Sequence, residues 1–189
     1  RETRGLSLVR KAAELRTVDK ILPEVLNILR DKGQTSEGQS LPLGNRQAID
    51  SLITTHSVIY DSGDQRLYIG QGPALTGPFL GYDLKASFQQ RRPVALKVLP
   101  ADPLATPQDY FDLHQGERDA RLAQEMVRQG RCEPAKNALE RVKSRFVNND
   151  FYLHALGDIQ LCYGQPDRAK ESWQKALAAL PAYPVTRRE

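Results

Sequence analysis

The 189-residue chain is poor in cysteine, methionine and tryptophan, with two, one and one respectively. It also lacks any apolar run approaching the roughly 18 residues that a membrane helix needs. No charged-then-apolar leader follows Arg1. Because the first residue is Arg, a processed chain or a piece of something longer is expected. Cys132 and Cys162 show no metal-ligand spacing, and two cysteines make no disulfide framework. Each falls in a helical pattern, where a free cysteine packs as a small apolar residue. His56, His114 and His154 do not cluster with carboxylates at ligand spacing, so no metal or cofactor is expected. A phosphate loop is missing too: "GQGPALTG" is followed by neither a capped helix nor Lys-Ser/Thr.

Charge is nearly balanced, with 27 Lys and Arg against 23 Asp and Glu. Nucleic-acid binders carry a broad basic stripe with stacking aromatics. The densest cluster here, Arg141, Lys143 and Arg145, reads as a solvated helix face beside Glu140, so no nucleic acid is expected. What remains is an ordinary globular composition, 40% hydrophobic and 26% charged, sufficient for a core.

Along the chain, residues 3–16 place Leu6, Val9, Ala12, Ala13 and Leu15 at helical spacing, with Arg10, Lys11 and Glu14 outward. A second helix carries Leu22, Val25, Leu26, Ile28 and Leu29. Asp19 is its candidate N-cap, Pro23 sits in its first turn, and Gly33 stops it. Residues 33–44 form a loop, and Asn45 caps a short helix to about Ile53. Two strands follow, near 55–60 and 66–70, with Gly63 taking positive φ in the turn. Alternation sets Ser57 and Ile59 against His56, Val58 and Tyr60. Neither face is polar, so both are expected to be covered. No third strand of similar quality is visible; "PVALKVLP" is a candidate extended segment. Pro93, Pro100, Pro103 and Pro107 mark a transition, and helical patterning resumes at Thr106.

The C-terminal eighty or so residues match themselves in a register of 34: Leu122 with Leu156, Gly130 with Gly164, Ala135 with Ala169. The second copy has Leu156-Gly157, Gly164, Ala169, Trp173, Ala176, Leu177 and a closing Pro181. It resembles a tetratricopeptide repeat. The first copy, 116–149, has Ala123 for the glycine and Val147 for the proline. Two repeats fall short of the three that make an independent solenoid, so they lean on the preceding unit. Such repeats imply a groove for a peptide or protein partner, or a packing appendage.

Residues 45–84 contain Thr55-His56-Ser57-Val58-Ile59, an Asp-led turn, a second strand and a Gly-Pro stretch ending in "GYDL". They resemble the C-terminal part of the acyl-coenzyme A:6-aminopenicillanic-acid acyltransferase-like N-terminal-nucleophile (Ntn) hydrolases. "ILRDKG" and "LPADPLATPQDYF" extend the resemblance over residues 3–113 or so. It implies an α+β chain: a partial αββα Ntn-hydrolase unit, helices plus a β-hairpin, over residues 1–99. A linker and an all-α, tetratricopeptide-like pair of helical hairpins fill 100–189. It also implies an autoprocessed cysteine that attacks an acyl amide or thioester, its own α-amine serving as base. That cysteine and the oxyanion asparagine would lie upstream, on a segment that is the partner of this one, leaving this chain inactive alone. Arg4, with Arg1 as alternative, matches the position of a family arginine, and Ser57 would line the substrate pocket. A triad of His56, Ser57 and Asp61 or Asp83 is disfavoured, since strand neighbours point to opposite faces. Family members are often exported, which tilts localisation toward a cell envelope or periplasm.

Overall fold

The computed structural model describes residues 2–15, 18–33 and 40–179. Arg1, residues 34–39 of the 33–44 loop and Pro181 therefore lie outside the described residues. Those residues form an α+β protein with seven α-helices and one three-stranded antiparallel sheet. They group into two compact units, Arg1–Ser51 with Phe111–Glu189, and Leu52–Tyr110.

In the first unit, α1 (Glu2–Ala13) packs on α2 (Val18–Leu29). The α1 residues turned inward are Arg4, Leu8 and Ala12, one per turn. Arg4 Nε donates to Asp31 Oδ2 at 2.8 Å, tying α1 to the residues that follow α2. Leu6 and Val9, expected in the core, are exposed. The expected stripe of α2 holds, with Leu26 and Ile28 buried. Its start does not: Pro23 and Asp19 both lie inside the helix, so Asp19 is no N-cap. Pro23 is the sixth residue of the helix, past the first turn, so the helix forgoes the i→i−4 bond that an N–H there would have donated.

Residues 45–53 form turns rather than the expected helix. Asn45 Oδ1 accepts from Gln47 N at 2.9 Å, a local bond that competes with a helical ladder. Asp50 N donates to Asp31 O at 3.0 Å, and the Asp50 carboxylate meets Lys32 Nζ at 2.7 Å with both side chains buried. Leu52 then takes φ +56°, which ends any right-handed run.

The second unit is built on β1 (Val58–Asp61), β2 (Arg66–Gly70) and β3 (Phe79–Asp83), in the order β1-β2-β3. Gly63 is not the turn residue with positive φ. Asp61 Oδ1 accepts from Gly63 N and Asp64 N, and the chain reverses at Gln65, φ +53°. The third strand, unforeseen, pairs Ile69 with Leu80 and Leu67 with Tyr82. "PVALKVLP" does extend the sheet, through bridges from Phe79 to Leu99 and Tyr82 to Ala95, on the far side of β3 from the hairpin. Helix α3 (Leu84–Gln90) follows, its N-cap Asp83 accepting from Ala86 N at 2.7 Å.

The expectation that both sheet faces are covered is corrected. Ile59, Tyr68, Phe79 and Gly81 are buried on one face. The other carries Val58, Tyr60, Leu67, Ile69, Leu80 and Tyr82 in cross-strand register. There Val58 is 54% exposed, Tyr60 57% and Ile69 41%. Alternation assigned the two faces correctly, but an apolar face is not always a filled one.

Helix α4 (Pro107–Arg128) starts where Thr106 and Asp109 cap each other: Thr106 N donates to Asp109 Oδ2 at 2.8 Å and Asp109 N to Thr106 Oγ1 at 3.3 Å. The boundary between the units falls within this helix. Then come α5 (Cys132–Leu139), a 3-10 turn at Ser144–Phe146, α6 (Asp150–Cys162) and α7 (Pro166–Ala178). Arg141 and Lys143 thus lie beyond the end of α5 and Arg145 in the 3-10 turn, so the three do not share an α-helix face. Arg141 forks onto Asp119 Oδ1 at 3.1 and 2.7 Å, and that hydrogen bond raises the guanidinium pKa further.

Candidate functional site

The register of 34 has a structural counterpart. Gly130 and Gly164 both take positive φ, +72° and +69°, at the turns after α4 and α6. Ala123 and Gly157 are both buried, as are Ala135 and Ala169. A Cβ on Gly157 would lie 2.4 Å from Trp173 Nε1, so the glycine is what lets the indole of α7 lie against α6.

The hairpins α4–α5 and α6–α7 leave a groove of about 480 Å³ lined by Gln124, Val127 and Arg128 of α4 and by His154, Asp158, Leu161 and Cys162 of α6. Residues three and four apart share a helix face, which is why these lining positions recur as they do. At mid-groove Asp158 is a hub. Its Oδ2 accepts from Gln124 Nε2 at 2.9 Å and its Oδ1 from Trp173 Nε1 at 3.1 Å. His154 Nε2 lies 3.9 Å from the same Oδ1. Arg128, largely exposed on the rim, meets Glu125 Oε2 at 3.3 Å. Apolar walls from Val127 and Leu161, with a few fixed polar groups, are the makings of a binding surface.

The cysteines are not free. Cys132 and Cys162 form a disulfide with a Cα–Cα distance of 5.7 Å, so neither thiol is available as a nucleophile. The signal for this pairing was in the repeat: Cys132 follows the turn glycine Gly130 by two residues, and Cys162 precedes Gly164 by two, at the same end of the array. One residue on from each, the Tyr163 hydroxyl donates to the Glu133 carboxylate. That bond raises the tyrosine pKa.

A second polar cluster anchors residues 40–51 to the helices. Arg46 meets Glu117 Oε1 at 3.5 Å, His114 Nδ1 meets Glu117 Oε2 at 3.4 Å, and Asn149 Nδ2 donates to Leu43 O at 2.9 Å. Asp150, beside this cluster, has its pKa raised chiefly by burial. Among the described residues no group of three or more His, Cys, Asp or Glu stands at metal-holding geometry.

The other sequence candidates are dispersed. Arg4 is half-buried in its pair with Asp31. Ser57 is half-buried just before β1, its carbonyl accepting from Gly70 N at 2.9 Å. His56 is exposed, Asp61 shapes the hairpin turn, and Asp83 caps α3. Among the described residues no helix is long and apolar enough to cross a membrane. Set against family models, curated proteins and solved structures, the chain has no significant match.

Proposed function

We propose that this chain is the C-terminal portion of a cysteine Ntn amidohydrolase or acyltransferase that cleaves or transfers an acyl group at an amide or thioester. The observation that carries the reading is the apolar sheet face of Val58, Tyr60, Leu67, Ile69, Leu80 and Tyr82, on which Val58, Tyr60 and Ile69 are exposed and the other three half-buried. A sheet with one face on its own core and the other apolar and open is suited to stacking on a second sheet, about 10 Å away. In an αββα fold the preceding segment would supply that sheet and the N-terminal cysteine. Its α-amine would take the thiol proton, and backbone or amide donors would stabilise the tetrahedral oxyanion. The Cys132–Cys162 disulfide is in keeping with an exported protein.

The test is to express the complete protein, with whatever precedes residue 1, beside residues 1–189 alone. Autocleavage before a cysteine and turnover of acyl amides or thioesters are expected from the complete protein, and no turnover from residues 1–189. Arg4→Gln in the complete protein then asks whether that arginine assists. Turnover by residues 1–189 alone, or a complete protein without a processed cysteine, overturns the reading.

The α4–α6 groove favours a second reading, a protein-interaction module in which tetratricopeptide-like repeats hold a partner polypeptide. A photocrosslinking residue at position 128, on the groove rim, would then capture the partner, whereas one at exposed Lys170 would not. Equal labelling from both positions removes it.

A further inference from the structure

From Leu84 to Ala101 the chain carries Lys85, Arg91, Arg92 and Lys97 and no Asp or Glu. All four cations are exposed, and among the described residues none is in an ion pair. The acids that bound the stretch are engaged: Asp83 Oδ1 accepts from Ala86 N at 2.7 Å and Asp102 Oδ1 from Leu104 N at 2.8 Å. Phe88, in the last turn of α3, is 81% exposed, and among the described residues no large apolar side chain is more so. Lys85 lies one turn before it on the same helix face, and Arg91 and Arg92 follow directly after the helix. The backbone beneath is well tied. Ser87 Oγ donates to Asp83 O and accepts from Val94 N at 2.9 Å, and Arg92 N donates to Ser87 O at 3.2 Å. Lys97 and Val98 sit between the Tyr82–Ala95 and Phe79–Leu99 bridges. Arg91 takes φ +51° at the end of α3, where glycine is the usual residue, so a cation is held at a position that the backbone would give to glycine.

Single-stranded nucleic acid binds on several stacked rings along a basic groove. Here one ring and aliphatic Val98, 48% exposed, stand among cations, which is the combination that an anionic bilayer surface takes. The apolar group enters the headgroup boundary, and Lys and Arg meet the lipid phosphates. We infer that residues 85–98 form a docking patch for an anionic lipid surface, with Phe88 inserted at headgroup level and Lys85, Arg91, Arg92 and Lys97 facing the phosphates. The inference is independent of the upstream nucleophile and of the α4–α6 groove, since the whole patch lies in the sheet unit.

Flotation of residues 1–189 with lipid vesicles tests it. Binding is expected to phosphatidylcholine vesicles holding about 30% phosphatidylglycerol at low salt. It should be weaker by about tenfold or more without the anionic lipid, and should fall as added salt screens the charges. Arg91→Gln and Arg92→Gln together should weaken it about tenfold or more, Phe88→Ser several-fold, and Lys170→Gln, in the helical unit, not at all. All four side chains are exposed, so circular dichroism of the variants should match the unsubstituted chain. Emission from Phe88→Trp should be quenched by brominated lipid, whereas that of Trp173 in the unsubstituted chain should not. No binding to the anionic vesicles, binding indifferent to lipid charge, or equal binding by the variants overturns the inference. So does tighter binding of a single-stranded oligonucleotide through the same residues, which would make the patch a nucleic-acid surface.

Discussion

At the scale of single residues, two glycines of the second repeat have opposite reasons to be glycine. Gly157 is chosen by contact, because an added Cβ would strike the Trp173 indole. Gly164 is chosen by backbone, φ +69° with nothing near its Cβ. Gly157→Ala should cost about 1–3 kcal/mol through forced displacement of the ring, with a visible shift in Trp173 fluorescence. Gly164→Ala should cost about 1–2 kcal/mol and leave that fluorescence alone. Urea titration with emission spectra separates the two. Asp150 offers a pH test. Burial raises its folded pKa above the unfolded value, so the fold prefers it protonated. Its contribution to stability is present below the ordinary carboxylate range and is lost as pH rises through the raised value. Asp150→Asn should remove that loss. The variant's Tm should gain on wild type between about pH 3 and about pH 8, and parallel Tm curves would refute it.

At the scale of elements, the sheet has a dry face and an open one, and substitutions should reveal them. Phe79→Ala, at 0% exposure, should cost about 3–5 kcal/mol in residues 1–189. Val58→Thr or Ile69→Thr should change stability by no more than about 0.5 kcal/mol in this chain. If an upstream sheet covers the face, the same two changes should be several-fold more damaging in the complete protein, as thermal melts of both forms would record. The hairpin, the α2 stripe and the paired helices were legible because periodicity and turn chemistry agree there. Strand β3 was not, since Gly77-Pro78 and Gly81 read as loop. Gly81 is needed because a Cβ there would come within 2.8 Å of Tyr68 and 3.0 Å of Leu96, a tertiary reason that no local window contains. The helix expected after Asn45 failed for a like cause: Lys32 and Asp31, distant in sequence, hold Asp50 in a turn. At the groove, the register of 34 was visible, but the Gln124–Asp158 bond it creates required the helices to be set side by side.

At the scale of the whole molecule, the disulfide and the single tryptophan both belong to the helical unit, which makes the two units separately readable. Closing the loop between Cys132 and Cys162 should contribute about 3–4 kcal/mol, mainly by constraining the unfolded chain. Dithiothreitol should therefore lower the urea midpoint followed by Trp173 fluorescence. Amide exchange of 58–83 should be unaffected where the units unfold independently, and a common shift would show one cooperative block. The sheet unit is also an insertion, entered after Ser51 and left before Phe111, so the helical unit is written in two pieces. During synthesis the first piece emerges, and then must wait for its complement. Asn45 Nδ2 donates to Ala179 O at 2.6 Å and Asn149 to Leu43 O, bonds that cannot close until the last helices have left the ribosome. At roughly 5–20 residues per second that is a delay of seconds, during which the Asn45 side chain and the Leu43 carbonyl lack these partners. Nascent chains stalled between residues 110 and 179 should accordingly be the form most dependent on chaperones.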